Sequence, residues 1–138
     1  MATYTKFNSF VEALAEKSHN LGSDQLVVAL TAAANAPVAA NTVLANLTQV
    51  TYTNLSSRNI TTSASSQTSG TYKLVLTDLT LTASGGSVGP FRYVVIYNDT
   101  ATNDELIAFY DYGSEITLAS GETFTIDFDG TNGFLQLA

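Results

Sequence analysis

The chain contains no cysteine, which excludes disulfides and thiolate metal sites alike. A small extracellular domain often leans on disulfides; this one must be held by its core or by assembly. Basic charge is scarce too, with Lys and Arg numbering 5 against 12 Asp and Glu, a formal net charge of −7. Nucleic-acid affinity comes largely from Lys and Arg neutralising phosphates, so so few scattered cations argue against a nucleic-acid partner. Interfacial membrane binding lacks its usual basic amphipathic helix, and no apolar run approaches the roughly 20 residues of a bilayer span. No membrane partner is expected. The opening MATYTKFNSFVEALAEK carries charges and a broken apolar pattern, unlike a signal peptide, which points to synthesis in a cytoplasm.

Histidine is nearly absent as well. His19 is the only one, and it falls at the expected C-terminal end of a helix, where it favours the dipole by up to about 1 kcal/mol. Alone, with no cysteine, it makes no metal motif. Charged residues of all kinds make up 12% of the chain, against about 25% in typical domains. Thr and Ser fill the polar share, which suits strands and turns. Such a surface fits a neutral β-sandwich and an assembly subunit equally.

What the chain does have is β-structure. Its 138 residues make a single domain, 1–138, long enough to bury a core. Residues 85–138 read as a β-meander in which apolar strands alternate with the turn dipeptides Asn98-Asp99, Ser120-Gly121, Asp129-Gly130 and Asn132-Gly133. Strands are expected at 25–31, 71–77, 79–83, 91–98, 105–112, 115–118, 123–129 and 134–137. Residues 84–90 (SGGSVGP) form a crossing between sheets, or a hinge. Residues 123–129 alternate, with Phe124, Ile126 and Phe128 on one face, as a half-buried antiparallel strand does. Residues 91–97 are apolar on both faces, so that strand sits centrally or has its second face covered by the helix or a neighbouring subunit.

One amphipathic helix is expected at about 6–20, where Phe7, Phe10, Val11, Leu14 and Ala15 form a stripe and Gly22 ends it. Residues 32–40 read as a small-residue loop, 41–47 as a single helical turn, and 54–70 as a polar loop with one strand around Ile60. The fold class is therefore mainly β: a single-domain antiparallel β-sandwich or jelly roll with one N-terminal amphipathic helix.

The search for chemistry finds no catalytic set. Asp127, Asp129 and Asn132 lack the third acid and closing Glu of a calcium loop, and Asp-Gly and Asn-Gly are ordinary hairpin signals. Asp99, Asp104 and Glu105 lie in a loop where polar residues simply stay solvated. Asp111 and Glu115 flank a short turn without a diagnostic spacing for glycoside hydrolysis. No nucleophile elbow and no phosphate cradle occur. The expectation is a non-enzyme without catalytic residues, metal or cofactor.

Aromatics are the other candidate set. Tyr93, Tyr97, Phe109, Tyr110 and Tyr112 lie on two successive strands, and sequence neighbours point to opposite faces. At least one aromatic row needs a second cover, which an intersubunit contact would supply. Carbohydrate binding is the competing use of such a row.

The segments TYTKFNSFVEALAEKSHNLGSDQLVVALT, SSQTSGTYKLVLTD and 85–138 together resemble small structural (virion) proteins of tailed bacteriophages, most strongly over the last fifty-odd residues. At this size, the resemblance implies a capsid decoration (cement) protein. Such a protein would sit on the outer head shell as a homotrimer, its partner the major capsid protein, stabilising contacts between capsid subunits. Its place would be the capsid surface of the virion, after synthesis in the bacterial host cytoplasm. Tyr93, Tyr97, Phe109 and Tyr112 are the residues expected to pack subunits together. Ile60, in the 54–70 loop, and Phe7, in the N-terminal segment, are expected at the capsid contact. A tail or neck subunit (adaptor, tube-associated or baseplate) and a host-carbohydrate-binding adhesive module are the alternatives.

Overall fold

A long central hairpin organises the molecule. In the computed structural model, which describes residues 2–138, β7 (Val88–Asn98) and β8 (Leu106–Leu118) pair antiparallel along most of their length. Around them stand β1 (Thr3–Lys6), β2 (Leu26–Thr31) and β3 (Asn59–Ile60), giving a five-stranded sheet of order β1-β8-β7-β2-β3. Against it lie two smaller antiparallel sheets. One has the order β10-β5-β4, from β4 (Thr62–Thr68), β5 (Thr71–Leu76) and β10 (Leu135–Leu137); the other pairs β6 (Leu79–Thr82) with β9 (Thr123–Ile126). The chain is mainly β, with antiparallel sheets consistent with a sandwich.

The main core fills the space between these layers. Leu26, Val28, Leu30, Val94 and Ile96 from the large sheet meet Leu74, Leu76, Leu81 and Ile126 from the smaller ones. Side chains alternate along β2 and β7, so their other residues face outward from the sandwich. Those residues are apolar as well, and they build a second core of Val27, Ala29, Tyr93, Val95, Tyr97, Leu106, Phe109 and Phe7.

The cover over that second core comes from the chain itself. Leu44 and Leu47, within and just after a single 3-10 turn at Leu44–Asn46, pack on it. The segment carrying them is tied down by backbone bonds from Asn8 N to Ala39 O at 2.9 Å, Leu44 N to Asp104 O at 3.0 Å, and Leu106 N to Thr42 O at 3.0 Å. The aromatic row therefore needs no neighbouring subunit to shield it. Tyr93, Tyr97, Phe109, Phe7 and Ile60 are 9%, 4%, 7%, 0% and 3% exposed, and this corrects the expectation that they face partners. Tyr112, half-buried, packs edge-on against Phe124 with ring centres 5.0 Å apart.

The helix is much shorter than its apolar stripe suggested. Lys6, where the expected span began, closes β1 instead; residues 3–6 pair with β8, because Thr and Tyr favour a strand where a partner edge is offered. Only α1 (Phe10–Ala15) is helical. Lys17, at φ 72°, takes the left-handed position that usually falls to glycine. The Ser18 amide then closes back on Ala13 O at 2.8 Å, a Schellman-type end. Phe10 is buried, but Val11 on the same stripe is 50% exposed.

Residues 62–68 are a strand although they show no apolar alternation. β5 supplies the partner, and the turn Ser69-Gly70, with both φ positive, joins the two as tight hairpins require. The expected strands 105–112 and 115–118 are one continuous β8, and the 84–90 crossing is partly taken up by β7. Among the described residues, no helix is long and apolar enough to cross a membrane.

Candidate functional site

The sandwich is open at one end. There the sheets part between the loop after α1, the β7–β8 turn and the inner face of β10-β5-β4, leaving a cavity of about 710 Å³. Strand register explains the opening. Ser65 and Leu135 both pair with Leu74, whose side chain is buried in the core, so all three share the inner face. Tyr72 and Leu137 continue that face toward the rim, where Leu137 is 43% exposed. Ser65 and Tyr72 join through their hydroxyls at 2.7 Å.

The floor holds a polar cluster that no sequence motif marks. His19 is 5% exposed and its ring lies 5.2 Å from that of Phe10. It does not end the helix, as expected, but reaches Asn98 from the loop beyond. The Asn98 amide is fixed on every side. Its Oδ1 accepts from the Thr100 and Ala101 amides at 3.0 and 3.1 Å, and its Nδ2 donates to Asp24 Oδ2 at 2.6 Å. The remaining Nδ2 hydrogen points at His19 Nδ1, 2.9 Å away. Nδ1 must then accept, which puts the imidazole proton on Nε2.

Burial lowers the His19 pKa below its ordinary 6.5, with Glu105 and Asp24 pulling the other way. The fixed Asn98 donor acts in the same sense as burial, since it has no bond to offer a protonated Nδ1. A neutral imidazole results. Its Nε2–H has no hydrogen-bond partner among the described residues, and neither has the buried Glu105 Oε2. Both residues line the cavity.

Of the carboxylates weighed from the sequence, Glu105 lines the cavity with one oxygen buried, where solvation was expected, while Asp111, Glu115 and Asp129 are engaged elsewhere. Asp111 holds Arg92 through two bonds, Nε to Oδ1 at 2.8 Å and Nη2 to Oδ2 at 3.1 Å. That guanidinium lowers the Asp111 pKa, the reverse of what a general acid needs. Glu115 accepts from the Ala33 amide at 3.0 Å. Asp129 closes its own turn, accepting from the Thr131 and Asn132 amides and from Asn132 Nδ2. Asp111 and Glu115 are thus drawn to different partners, and Asp127 and Asp129 do not converge with a third ligand.

The cavity residues were missed because the signal is not local. Asn98 lies 79 positions from His19 and reads as half of a turn dipeptide. No family model matches the chain, and no curated protein or solved structure is similar to it.

Proposed function

We propose that the chain is a non-enzymatic structural protein of a tailed-bacteriophage virion, a capsid decoration (cement) protein of the outer head shell. Its partner is the major capsid protein, and its form on the shell is a homotrimer. The jelly-roll form of the sandwich belongs to the same reading. Binding only to the assembled shell, it stabilises contacts between capsid subunits by mass action.

The observation that carries this reading is the edge strand β4. Residues 62–68 (TSASSQT) are exposed along nearly their whole length and carry neither charge nor proline. β4 is also the outermost strand of its sheet. Proteins that stay apart usually blunt such an edge with Lys, Pro or a covering segment. An uncharged, small-residue edge suits strand addition by a partner. The capsid contact is accordingly assigned to β4, within the 54–70 segment singled out from the sequence. The buried aromatics of the second core support the subunit from within.

Quantifying the chain in purified particles tests the proposal. A copy number matching the shell lattice, with density on the outer head in electron cryo-microscopy, is the expected result. A ring-sized copy number, or density only at the neck, tail or baseplate, overturns it in favour of the tail-subunit reading.

A further inference from the structure

We propose that Asn132–Gly133 is a latent self-modification site, a succinimide-forming pair that Asp129 holds inert in the folded chain and whose conversion undocks β10. It is the chain's one Asn–Gly pair, and Asn132 is exposed, so water reaches it. The chemistry is intramolecular. The Gly133 nitrogen gives up its proton and attacks Asn132 Cγ, the side-chain nitrogen leaves as ammonia, and a cyclic succinimide closes. Water then opens the ring at either carbonyl, leaving aspartate or, with an extra methylene in the main chain, isoaspartate. Glycine makes the attack easy because no side chain shields its nitrogen.

Glycine is required at this position. Gly133 has a φ of 85°, and a Cβ on it would lie 2.9 Å from Leu74 O. The next residue, Phe134, is buried in the main core, and its amide donates to that same carbonyl at 2.7 Å. The reactive pair thus comes with the turn that delivers β10 to β5, and Asp129 engages both reacting nitrogens. Its main-chain O accepts from the Gly133 amide at 3.0 Å, which holds the proton that attack must shed. Its Oδ2 accepts from Asn132 Nδ2 at 2.9 Å, and its Oδ1 from the Asn132 amide at 2.8 Å. Ring closure must break the bonds at Gly133 N and Asn132 Nδ2 alike.

The products do not remake the turn. A carboxylate at position 132 lacks the Nδ2 donor and sets its charge against Asp129. An isoaspartate lengthens the main chain directly before Gly133 and displaces Gly133 and Phe134 from Leu74 O. β10 enters its pairing with β5 from this turn, Leu135 opposite Leu74, so it is the element that comes loose.

Peptide mass mapping of the full-length chain, incubated in mildly alkaline buffer with and without urea, reads the conversion. Free protein is used, so the outcome is independent of where the chain sits on a virion. Asn132 is expected to convert at least about tenfold more slowly in the native chain than in urea. Native Asp129→Ala, with the hydrogen-exchange protection of its β2 amides showing it folded, is expected to convert several-fold faster than native wild type. Hydrogen exchange also reads the consequence. In Asn132→Asp the Phe134 amide and the β10 amides are expected to exchange several-fold faster than in wild type, with the β2 amides unchanged. Native conversion at the rate seen in urea, no acceleration in folded Asp129→Ala, or unchanged β10 exchange in Asn132→Asp overturns the assignment.

Discussion

The guanidinium of Arg58 lies 3.7 Å from the centre of the Tyr52 ring, and together the two side chains close the outer edge of β2. Beyond the short pairing with β3, loop backbone meets this edge at two points, Val28 N donating to Arg58 O at 3.0 Å and Val50 N to Leu30 O at 2.9 Å, which leaves Val28 O and the Leu30 amide to the side chains. Arg58 Nη1 donates to Val28 O at 2.6 Å, and Tyr52 Oη accepts from the Leu30 amide at 2.9 Å while donating to Gln49 Oε1 at 2.7 Å. An irregular loop thus does the work of another strand.

Tyr52→Phe should therefore cost more than the loss of one surface hydroxyl. It keeps the ring under Arg58 but strands the amide of Leu30, a fully buried residue, at a cost of about 1–3 kcal/mol. Gln49→Ala, which removes only the acceptor for the Tyr52 hydroxyl, is expected to cost less than about 1 kcal/mol. Urea denaturation of both variants checks this. Equal losses would mean that the hydroxyl matters for the loop and not for β2.

Phe109 tests whether the second core belongs to the subunit. Its ring centre lies 5.1 Å from that of Phe7 and 6.3 Å from that of Tyr93, under the cover of Leu44 and Leu47. Phe109→Ala is expected to destabilise the isolated chain by about 3–5 kcal/mol. If the aromatic row served subunit packing instead, the variant would keep its unfolding midpoint and lose only self-association. Denaturation and light scattering on the same sample separate the outcomes.

These elements mark how far the sequence is legible. The doubly apolar pattern of 91–97 located the central strand and required a cover on both faces, which the structure bears out. What supplies the second cover was not legible, because residues 32–40 read as a small-residue loop and 41–47 as one helical turn, and neither has a periodicity that marks Leu44 and Leu47 as packing on the sheet. The helix was overread because Phe7, first on the stripe, packs into the second core ahead of α1, and the left-handed Lys17 ends the helix well short of residue 20. β4 was underread for the opposite reason, since Ser and Thr carry no alternation and the strand exists by pairing with β5. The cavity left least trace of all. A polar cluster built by His19, Asp24, Asn98 and Glu105 depends on tertiary placement, and each of the four has an ordinary local explanation.

His19 should make stability depend on pH in a window of its own. Its folded pKa lies below the ordinary 6.5, so on acidification the unfolded chain takes up the proton first. The contribution is complete above pH 6.5 and is lost as pH falls through the folded value, with a slope of at most about 1.4 kcal/mol per pH unit. Asp111 and Asp129 have lowered values and act in the same direction, but from their ordinary 3.8 downward. Asp104, whose pKa is raised, acts in the opposite sense. Unfolding midpoints of wild type and His19→Asn at about pH 7.5 and 5.5 isolate the histidine. The wild type is expected to lose more stability across that interval, and equal losses would show that His19 is not held neutral by its surroundings.

Thr31 offers a gain where the other substitutions lose. It ends β2 opposite Tyr93, is fully buried, and its Oγ1 has no hydrogen-bond partner among the described residues. A buried hydroxyl without a partner opposes folding, because its bonds to water are given up for nothing. Thr31→Val keeps the β-branched shape that the strand favours and replaces the hydroxyl with a methyl group. The unfolding free energy is expected to rise by about 1 kcal/mol. Thr31→Ser, which keeps the hydroxyl and removes the methyl, is expected to fall by about as much. Should the valine variant be less stable than wild type, the hydroxyl must be satisfied in solution, and the second core is wetter at that end than its packing implies.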